Sequence, residues 1–257
     1  MSNQTMVSNP KQFLNKLDPE TYVSIKNSIG DIDRFLSPGD KLNFSCNKSG
    51  KCCKNRFDDP IILSPYDAHR LRKNLKVSST EFATKYAQKV LGANSRLPMM
   101  LLDFPTSKNG NNKCTFLRSY GCNVYDDRPL VCRLYPVGRI IDTDMNSYFF
   151  LTKTSDCCNT DKDKSYTIEE WLENAQVEPY FEWNDKFHKL TTSIDPKKYK
   201  SLDDSLKAHL GNIFYDLDKL KDKIPDEILK RINSSENAGL YYSFRMAERL
   251  LKLLWNI

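Results

Sequence analysis

The chain has 257 residues, of which 39% are hydrophobic and 28% charged, and its formal net charge is +6. With a mean hydropathy of -0.61 it falls in the ordinary globular class rather than the disordered class. It has no apolar run near the ~18 residues of a spanning helix, and its first ten residues lack the basic start and apolar segment of a secretory signal. These features predict a cytoplasmic protein without a membrane segment.

The positive charge is concentrated where the cysteines lie. From Cys46 to Cys158 there are 18 Lys and Arg against 10 Asp and Glu, a local charge of +8, whereas the remainder of the chain from Asn159 carries 16 against 18. Positive charge lowers the pKa of nearby thiols and so favours the thiolates that bind metal. The alternative interpretation is a mildly basic surface that overlaps the cysteines by chance, or one that meets an anionic partner.

The first stretch, residues 1–43, is predicted to be a helical segment. Asp18 is a plausible N-cap, and Pro19 suits the first helical position. The apolar residues that follow recur at helical spacing and predict one amphipathic helix: Tyr22, Val23, Ile25 and Ile29.

The middle stretch, residues 44–175, mixes short strands and helices. A strand is expected at Asp59–Leu63, and Ser64 with Pro65 predicts the start of a helix. A second helix is predicted by the Ser78 and Glu81 capping pattern, with core positions Phe82, Tyr86 and Val90.

Further along, alternating apolar runs and turn residues predict strands. Met99–Phe104 and Cys114–Leu117 are separated by a turn cluster at Ser107–Asn112. A hairpin is expected where Arg139–Ile141 and Tyr148–Leu151 flank a polar turn.

The last stretch, residues 176–257, reads as helical, and a capping box of Thr167 and Glu170 introduces it. Leucine-rich stripes at helical spacing predict a packed core between Leu202 and Leu254. The whole chain is therefore predicted to be α+β, with an irregular cysteine-rich metal module of short strands flanked by N-terminal and C-terminal helices.

Eight cysteines fall into three groups, and in a reducing compartment such groups indicate metal binding or catalysis rather than disulfides. No C-x-x-C knuckle of a simple zinc site occurs. The adjacent pair Cys52 and Cys53 suits two irons of a cluster, two nearby metals, or one ligand beside a redox or spare thiol. An iron-sulfur cluster is favoured over zinc, with these predicted ligands: Cys46, Cys52, Cys53, Cys114, Cys122, Cys132, Cys157 and Cys158.

Two arginines near Cys132 are predicted to bind the cofactor. Asp126 or Asp127 can cap a short helix on which Arg128 and Cys132, four residues apart, share a face. Arg128 and Arg133 can then donate hydrogen bonds towards metal-bound sulfur and tune its potential. The alternative is a surface ion pair with the aspartates.

These motifs resemble the YkgJ-type cysteine-cluster family. The resemblance is carried by Phe44–Cys53, by Cys114–Leu117 and Cys122–Tyr125, and most specifically by Arg128–Pro136, which reads Arg-Pro-x-x-Cys-Arg-x-Tyr-Pro. The family is described as chelating zinc or iron, and it is similar to the cysteine region of flagellin lysine N-methylases.

The chain departs from that family's pattern at two places. Ser49 stands where the family has a cysteine, and serine is a poor ligand for soft metals. Cys157-Cys158-Asn159 fills the place of Cys-Pro-Gly, so Cys157 matches the family thiol and Cys158 is an additional one.

The leading functional hypothesis is a metal-binding module that transfers electrons or scaffolds another activity. The resemblance implies an alternative, a protein-lysine N-methyltransferase, although no Gly-x-Gly loop for a methyl donor is present and no catalytic residue is identified. A zinc-stabilised adaptor is the third functional hypothesis. A protein is the expected type of partner, because the basic stretch lacks the compact basic run or aromatic motif expected for nucleic acid.

Overall fold

The computed structural model describes residues 32–37, 39–46, 48–54, 60–92, 97–142, 144–152, 164–194, 197, 200–221, 224–233 and 237–255. Within this part of the chain the strands, in order, are β1 (Ile32–Phe35), β2 (Lys41–Leu42), β3 (Ile62–Leu63), β4 (Ala87–Leu91), β5 (Pro98–Leu102), β6 (Leu117–Arg118), β7 (Gly121–Cys122), β8 (Val137–Ile141), β9 (Ser147–Thr152) and β10 (Tyr166–Thr167). The helices are α1 (Pro65–Leu75), α2 (Ser79–Lys85), α3 (Leu130–Leu134), α4 (Ile168–Asn174), α5 (Glu178–Thr192), α6 (Asp204–Tyr215), α7 (Leu217–Lys221), α8 (Asp226–Asn233) and α9 (Ala238–Trp255). The predicted α+β class is confirmed.

The strands form small antiparallel sheets. Two have three strands, in the orders β1-β9-β8 and β3-β5-β4, and two are the pairs β10-β2 and β6-β7. The predicted hairpin is confirmed as β8 and β9, whose register pairs Arg139 with Phe149. The strand predicted at Cys114–Leu117 is wrong except at its last residue. Leu117 begins β6, whereas its backbone N–H reaches back to the Cys114 carbonyl in a turn.

The chain divides into two compact units. The first contains the described residues within 1–61 and 104–181, and the second those within 62–103 and 182–257. Strands β1 and β2 lie at the end of the segment predicted to be helical, and the helix predicted there, from Asp18 to Ile29, lies outside the described residues. The division at residues 43 and 175 remains a prediction.

Aromatic packing holds the start of the cysteine region within the first unit. The Phe44 ring meets Tyr135 at 6.0 Å and Trp171 at 5.3 Å between ring centres, both edge to face. The Trp171 indole N–H donates to the Leu134 carbonyl at 2.9 Å. Edge-to-face pairs of this kind stabilise beyond their buried area, so Phe44 anchors the chain just before Cys46.

Local capping chemistry explains where the helices begin. Ser64 and Asp67 form a reciprocal capping box, and Pro65 occupies the first turn of α1. The predicted box of Thr167 and Glu170 likewise starts α4. Each box satisfies backbone N–H groups that a helix start leaves without partners.

The helix predicted through Tyr86 and Val90 is wrong beyond Lys85. Residues Ala87–Leu91 instead form β4, which pairs along its whole length with β5. The Asp103 N–H donates to the Tyr86 carbonyl at 2.9 Å, which extends this pairing to the end of α2. Pairing with a neighbouring strand therefore overrides a short helical pattern whose apolar positions also suit a strand.

The second unit has a leucine-rich core, as its helical stripes predicted. Buried Leu97, Ile194, Leu210 and Leu251 form one cluster. Beside it, Phe187, Phe214 and Phe244 pack edge to face with one another. None of the helices in the described ranges is long and apolar enough to cross a membrane.

Candidate metal centre

The first cysteine group sits in a loop that glycine makes possible. Gly50 has φ +70° and precedes a 3-10 turn at Lys51–Cys53, in which the Cys53 N–H donates to the Gly50 carbonyl at 3.1 Å. A Cβ atom on Gly50 would lie 2.4 Å from Cδ1 of Leu117. Both the left-handed backbone and the close approach therefore call for glycine here.

This loop runs antiparallel to the segment that carries the second cysteine group. Lys54 bridges to Lys113, and the Cys114 N–H donates to the Cys53 carbonyl at 2.8 Å. Further along, Gly50 meets Leu117, and the Cβ position of Gly121 lies 3.4 Å from the Lys48 carbonyl oxygen. Four contacts at nearly constant register thus bring the two cysteine groups together.

The Sγ atoms of Cys52 and Cys53 lie 3.9 Å apart. Two sulfur ligands on one tetrahedral ion with bonds of ~2.3 Å lie about 3.8 Å apart. The spacing of this pair therefore fits two ligands on one ion. It does not by itself distinguish zinc from iron, since both take thiolate ligands.

Cys114 is buried, and this burial raises the pKa of its thiol from 9.0 to about 11. The Phe116 N–H donates to its sulfur at 3.4 Å and opposes the rise, while the nearby Cys122 and Cys52 thiols add to it. Without a bound cation, burial therefore favours the protonated thiol of Cys114 at neutral pH. A bound cation would supply the charge that a thiolate needs here.

Cys122 repeats this arrangement at the hairpin of β6 and β7. Burial raises the pKa of its thiol, and the Val124 N–H, Arg128 and Arg118 lower it, with Cys52 again raising it. In both Cys114 and Cys122 the sulfur accepts the N–H of the residue two positions later. Such donors stabilise negative charge on a sulfur ligand.

Cys46 is exposed and lies beside Tyr125, with which it shares a side-chain hydrogen bond. Burial raises the pKa of Tyr125, Arg128 lowers it, and Cys46 raises it further. Two cations face the Tyr125 ring, with the Lys48 ammonium at 4.4 Å and the Arg128 guanidinium at 4.0 Å from its centre. This grouping of Tyr125 with two cations beside Cys46 was not predicted from the sequence. Only the spacing of aromatic and basic residues could have indicated it.

The predicted cap and shared face around Cys132 are wrong. Pro129, not Asp126 or Asp127, precedes α3, and it makes no side-chain cap. The aspartates lie instead in a 3-10 turn that Arg128 closes, with extended backbone at φ -58° and ψ 146°. A residue before proline avoids the helical region, so Arg128 lies outside the helix of Cys132.

The two arginines occupy different places. Arg128 donates to the Tyr125 carbonyl at 2.7 Å and acts electrostatically on the Cys122 thiol. Arg133 is only 5% exposed, donates to the carbonyls of Arg128, Asp126 and Ala175, and stacks over Tyr180 at 4.4 Å. Arg128 is thus positioned to influence a thiol, while Arg133 ties three chain segments together.

The predicted ligands are only partly assembled by the described residues. Cys52, Cys53, Cys114 and Cys122 are neighbours, Cys46 lies beside Tyr125, and Cys132 lies in α3. Cys157 and Cys158 lie outside the described part of the chain. In that part, no three His, Cys, Asp or Glu side chains are gathered closely enough to hold one ion.

Neighbouring thiols contributed by separate chain segments are typical of cysteine-cluster proteins. The model of one such family, CxxCxxCC, described as "Putative zinc- or iron-chelating domain", matches residues 45–187, more than half of the chain. The chain belongs to this family. No curated protein and no solved structure matches it.

The metal-free protein is expected to lose stability at alkaline pH because of Cys114. Its folded-state pKa lies above that of an exposed thiol, so the neutral thiol favours folding below about pH 9, and this contribution is lost as pH rises towards 11. A rise of two units corresponds to about 3 kcal/mol. Urea unfolding from pH 7 to 11 should show a larger loss in the wild type than in Cys114→Ala, which keeps the raised pKa values of Cys122 and Tyr125. Parallel pH profiles of the two proteins would contradict it.

Proposed function

We propose that Cys52, Cys53, Cys114 and Cys122 form the core of a thiolate metal centre that holds an iron-sulfur cluster. The observation that carries the proposal is the meeting of two cysteine groups distant in sequence. The Cys114 N–H donates to the Cys53 carbonyl, and Cys52 lies close enough to raise the pKa of both the Cys114 and the Cys122 thiols. Cys46, Cys132, Cys157 and Cys158 are the further candidate ligands.

The number of cysteines supports a cluster over a single zinc ion, and the groups around two of the sulfurs would tune such a cluster. Eight cysteines exceed the four ligands of one tetrahedral ion. Backbone N–H groups donate to the sulfurs of Cys114 and Cys122, and Arg118 and Arg128 act on Cys122. Such hydrogen bonds and charges set the reduction potential of cysteine-bound clusters.

A bound cluster would supply one-electron transfer or a rigid scaffold for another activity. The chain's own contribution is positional: the glycine turn at Gly50 aims Cys52 and Cys53, and the β6-β7 hairpin holds Cys122. The buried Cys114 keeps part of the site away from water. We also propose a cytoplasmic location, where the thiols stay reduced. The methyltransferase and zinc-adaptor alternatives remain predictions.

Anaerobic purification followed by metal and sulfide analysis should yield a brown protein that contains iron and acid-labile sulfide. The colour reflects charge transfer between sulfur and iron, so visible absorption should fall together with iron content on oxidation in air. The double variant Cys52→Ser and Cys122→Ser provides the control and should be colourless, because serine is a poor ligand for soft metals. A colourless wild-type protein that contains zinc alone would overturn the iron-sulfur assignment.

A further inference from the structure

The two segments that carry the neighbouring thiols are basic and contain no acidic residue. Residues 43–54 and 104–125 together hold six cations, Lys48, Lys51, Lys54, Lys108, Lys113 and Arg118, and neither Asp nor Glu. The remainder of the chain is nearly neutral, since the total net charge is +6. The excess is therefore local to the thiols.

Lys54 and Lys113 face each other across the antiparallel bridge between these segments, and both are exposed. Like charges directly opposite each other destabilise an antiparallel pair. Neither lysine pairs with a carboxylate within the described ranges. An anionic group placed over this pair would remove the repulsion.

The other end of the same antiparallel pair carries three cations and, next to Arg128, the carboxylates of Asp126 and Asp127, so its net charge is +1. Lys48 and Arg128 flank Tyr125, and Arg118 precedes the hairpin turn. Gly121 has φ +115° and lies against the Lys48 carbonyl, which fixes the Lys48 loop to the hairpin. The cations at both ends are therefore held on one preformed framework, with the thiols between them.

Tyr120 adds an aromatic side chain to this basic surface. It lies at the tip of the β6-β7 hairpin, beside Arg118, and is 75% exposed. Tyrosine and arginine are the residue types that most often dominate binding energy at protein interfaces. An exposed tyrosine on a fixed hairpin loses little conformational freedom when a partner covers it.

We propose that this surface, formed by Lys48, Lys54, Lys113, Arg118, Tyr120 and Arg128, docks an acidic protein beside the metal centre. An acidic protein fits better than nucleic acid because binding single strands relies on several aromatic platforms, and Tyr120 is the one strongly exposed aromatic that the described part of these two segments offers. The proposal rests on the proposed function only in that docking would bring a partner to the centre.

Binding of a short fluorescent peptide rich in Glu and Leu to the full-length, metal-loaded protein tests the proposal. Lys54→Gln with Lys113→Gln should weaken binding about 10-fold, and Tyr120→Ala by a similar factor. The matched control is Lys89→Gln with Lys252→Gln, which removes the same charge at two other exposed lysines and should leave binding unchanged. Binding of the wild type should also fall with salt.

Three results would overturn the docking proposal. In the first, the control pair weakens binding as much as Lys54→Gln with Lys113→Gln. In the second, Tyr120→Ala binds the peptide like the wild type. In the third, a single-stranded oligothymidylate of equal charge binds more tightly than the peptide through the same residues. Metal content measured on every protein separates the two proposals. If the wild type as purified binds the peptide at this surface but contains no iron, the iron-sulfur assignment is wrong and the docking proposal still holds.

Discussion

Replacing Cys114 with alanine is expected to lower metal affinity by at least about 100-fold, more than the loss of an outer hydrogen-bond partner of a metal site produces. Cys114 is the most buried thiol among the described cysteines and is joined through its N–H to Cys53. Its removal takes away one ligand and leaves the thiolates of Cys52 and Cys122 facing each other without a shared cation. Metal content and a competition titration with a chelator measure the loss.

Cys114→Ser is the matched control for this expectation. Serine keeps the size and a polar atom, so the metal-free fold should be retained, while its hard oxygen should restore little affinity for zinc or iron. Thermal unfolding of the metal-free proteins checks that both variants fold. Retention of full metal content in Cys114→Ala would exclude Cys114 as a ligand and shift the centre towards the other cysteines.

Cys158 should respond differently, because it stands where the family pattern has proline. If it supplies the thiol missing at Ser49, Cys158→Ala loses metal and the double change with Ser49→Cys regains it. Metal retained in the single variant excludes this compensation. Loss in both variants means a fixed ligand role that position 49 cannot replace.

Local chemistry made much of the fold predictable. Ser64 with Asp67 and Thr167 with Glu170 satisfy helix starts using neighbours three residues apart, so sequence alone places them. The helix through Val90 failed because the partner strand at Pro98–Leu102 is not encoded within the segment itself. Long-range pairing competes with local preference and cannot be judged from a short window.

The candidate site, like the fold, has a part that the sequence predicts and a part that depends on long-range contacts. The types of residue at Cys52, Cys53, Cys114 and Cys122 predicted metal chemistry, but their proximity depends on the antiparallel contact between two distant segments. Nothing in the local sequence of Gly50 indicates that a Cβ atom at this position would lie only 2.4 Å from a Leu117 methyl group. The cap assigned to the aspartates failed because Pro129 breaks the helix before it can include Arg128.

Arg133→Ala is expected to destabilise the metal-free protein by about 4 kcal/mol. The guanidinium is buried and donates to the carbonyls of Arg128, Asp126 and Ala175, all of which lie outside α3, in two separate segments. Truncation leaves the buried Ala175 carbonyl and two part-buried carbonyls without their donor, and a buried acceptor without a donor costs about 1–3 kcal/mol. It also removes the stacking over Tyr180 and opens a cavity.

The comparison with Arg128→Ala separates this structural role from the predicted cofactor role. Arg128 donates to one carbonyl and stacks on Tyr125, so its loss should cost only about 1 kcal/mol while raising the pKa of the Cys122 thiol. Arg133→Lys should recover little stability, because an ammonium cannot reproduce the planar fork that reaches several carbonyls. Urea unfolding and metal content are measured on all three variants. Suppose that Arg133→Ala loses metal while the metal-free variant unfolds at the wild-type urea midpoint. Arg133 then acts on the cofactor, and holding the three chain segments together is not its main role.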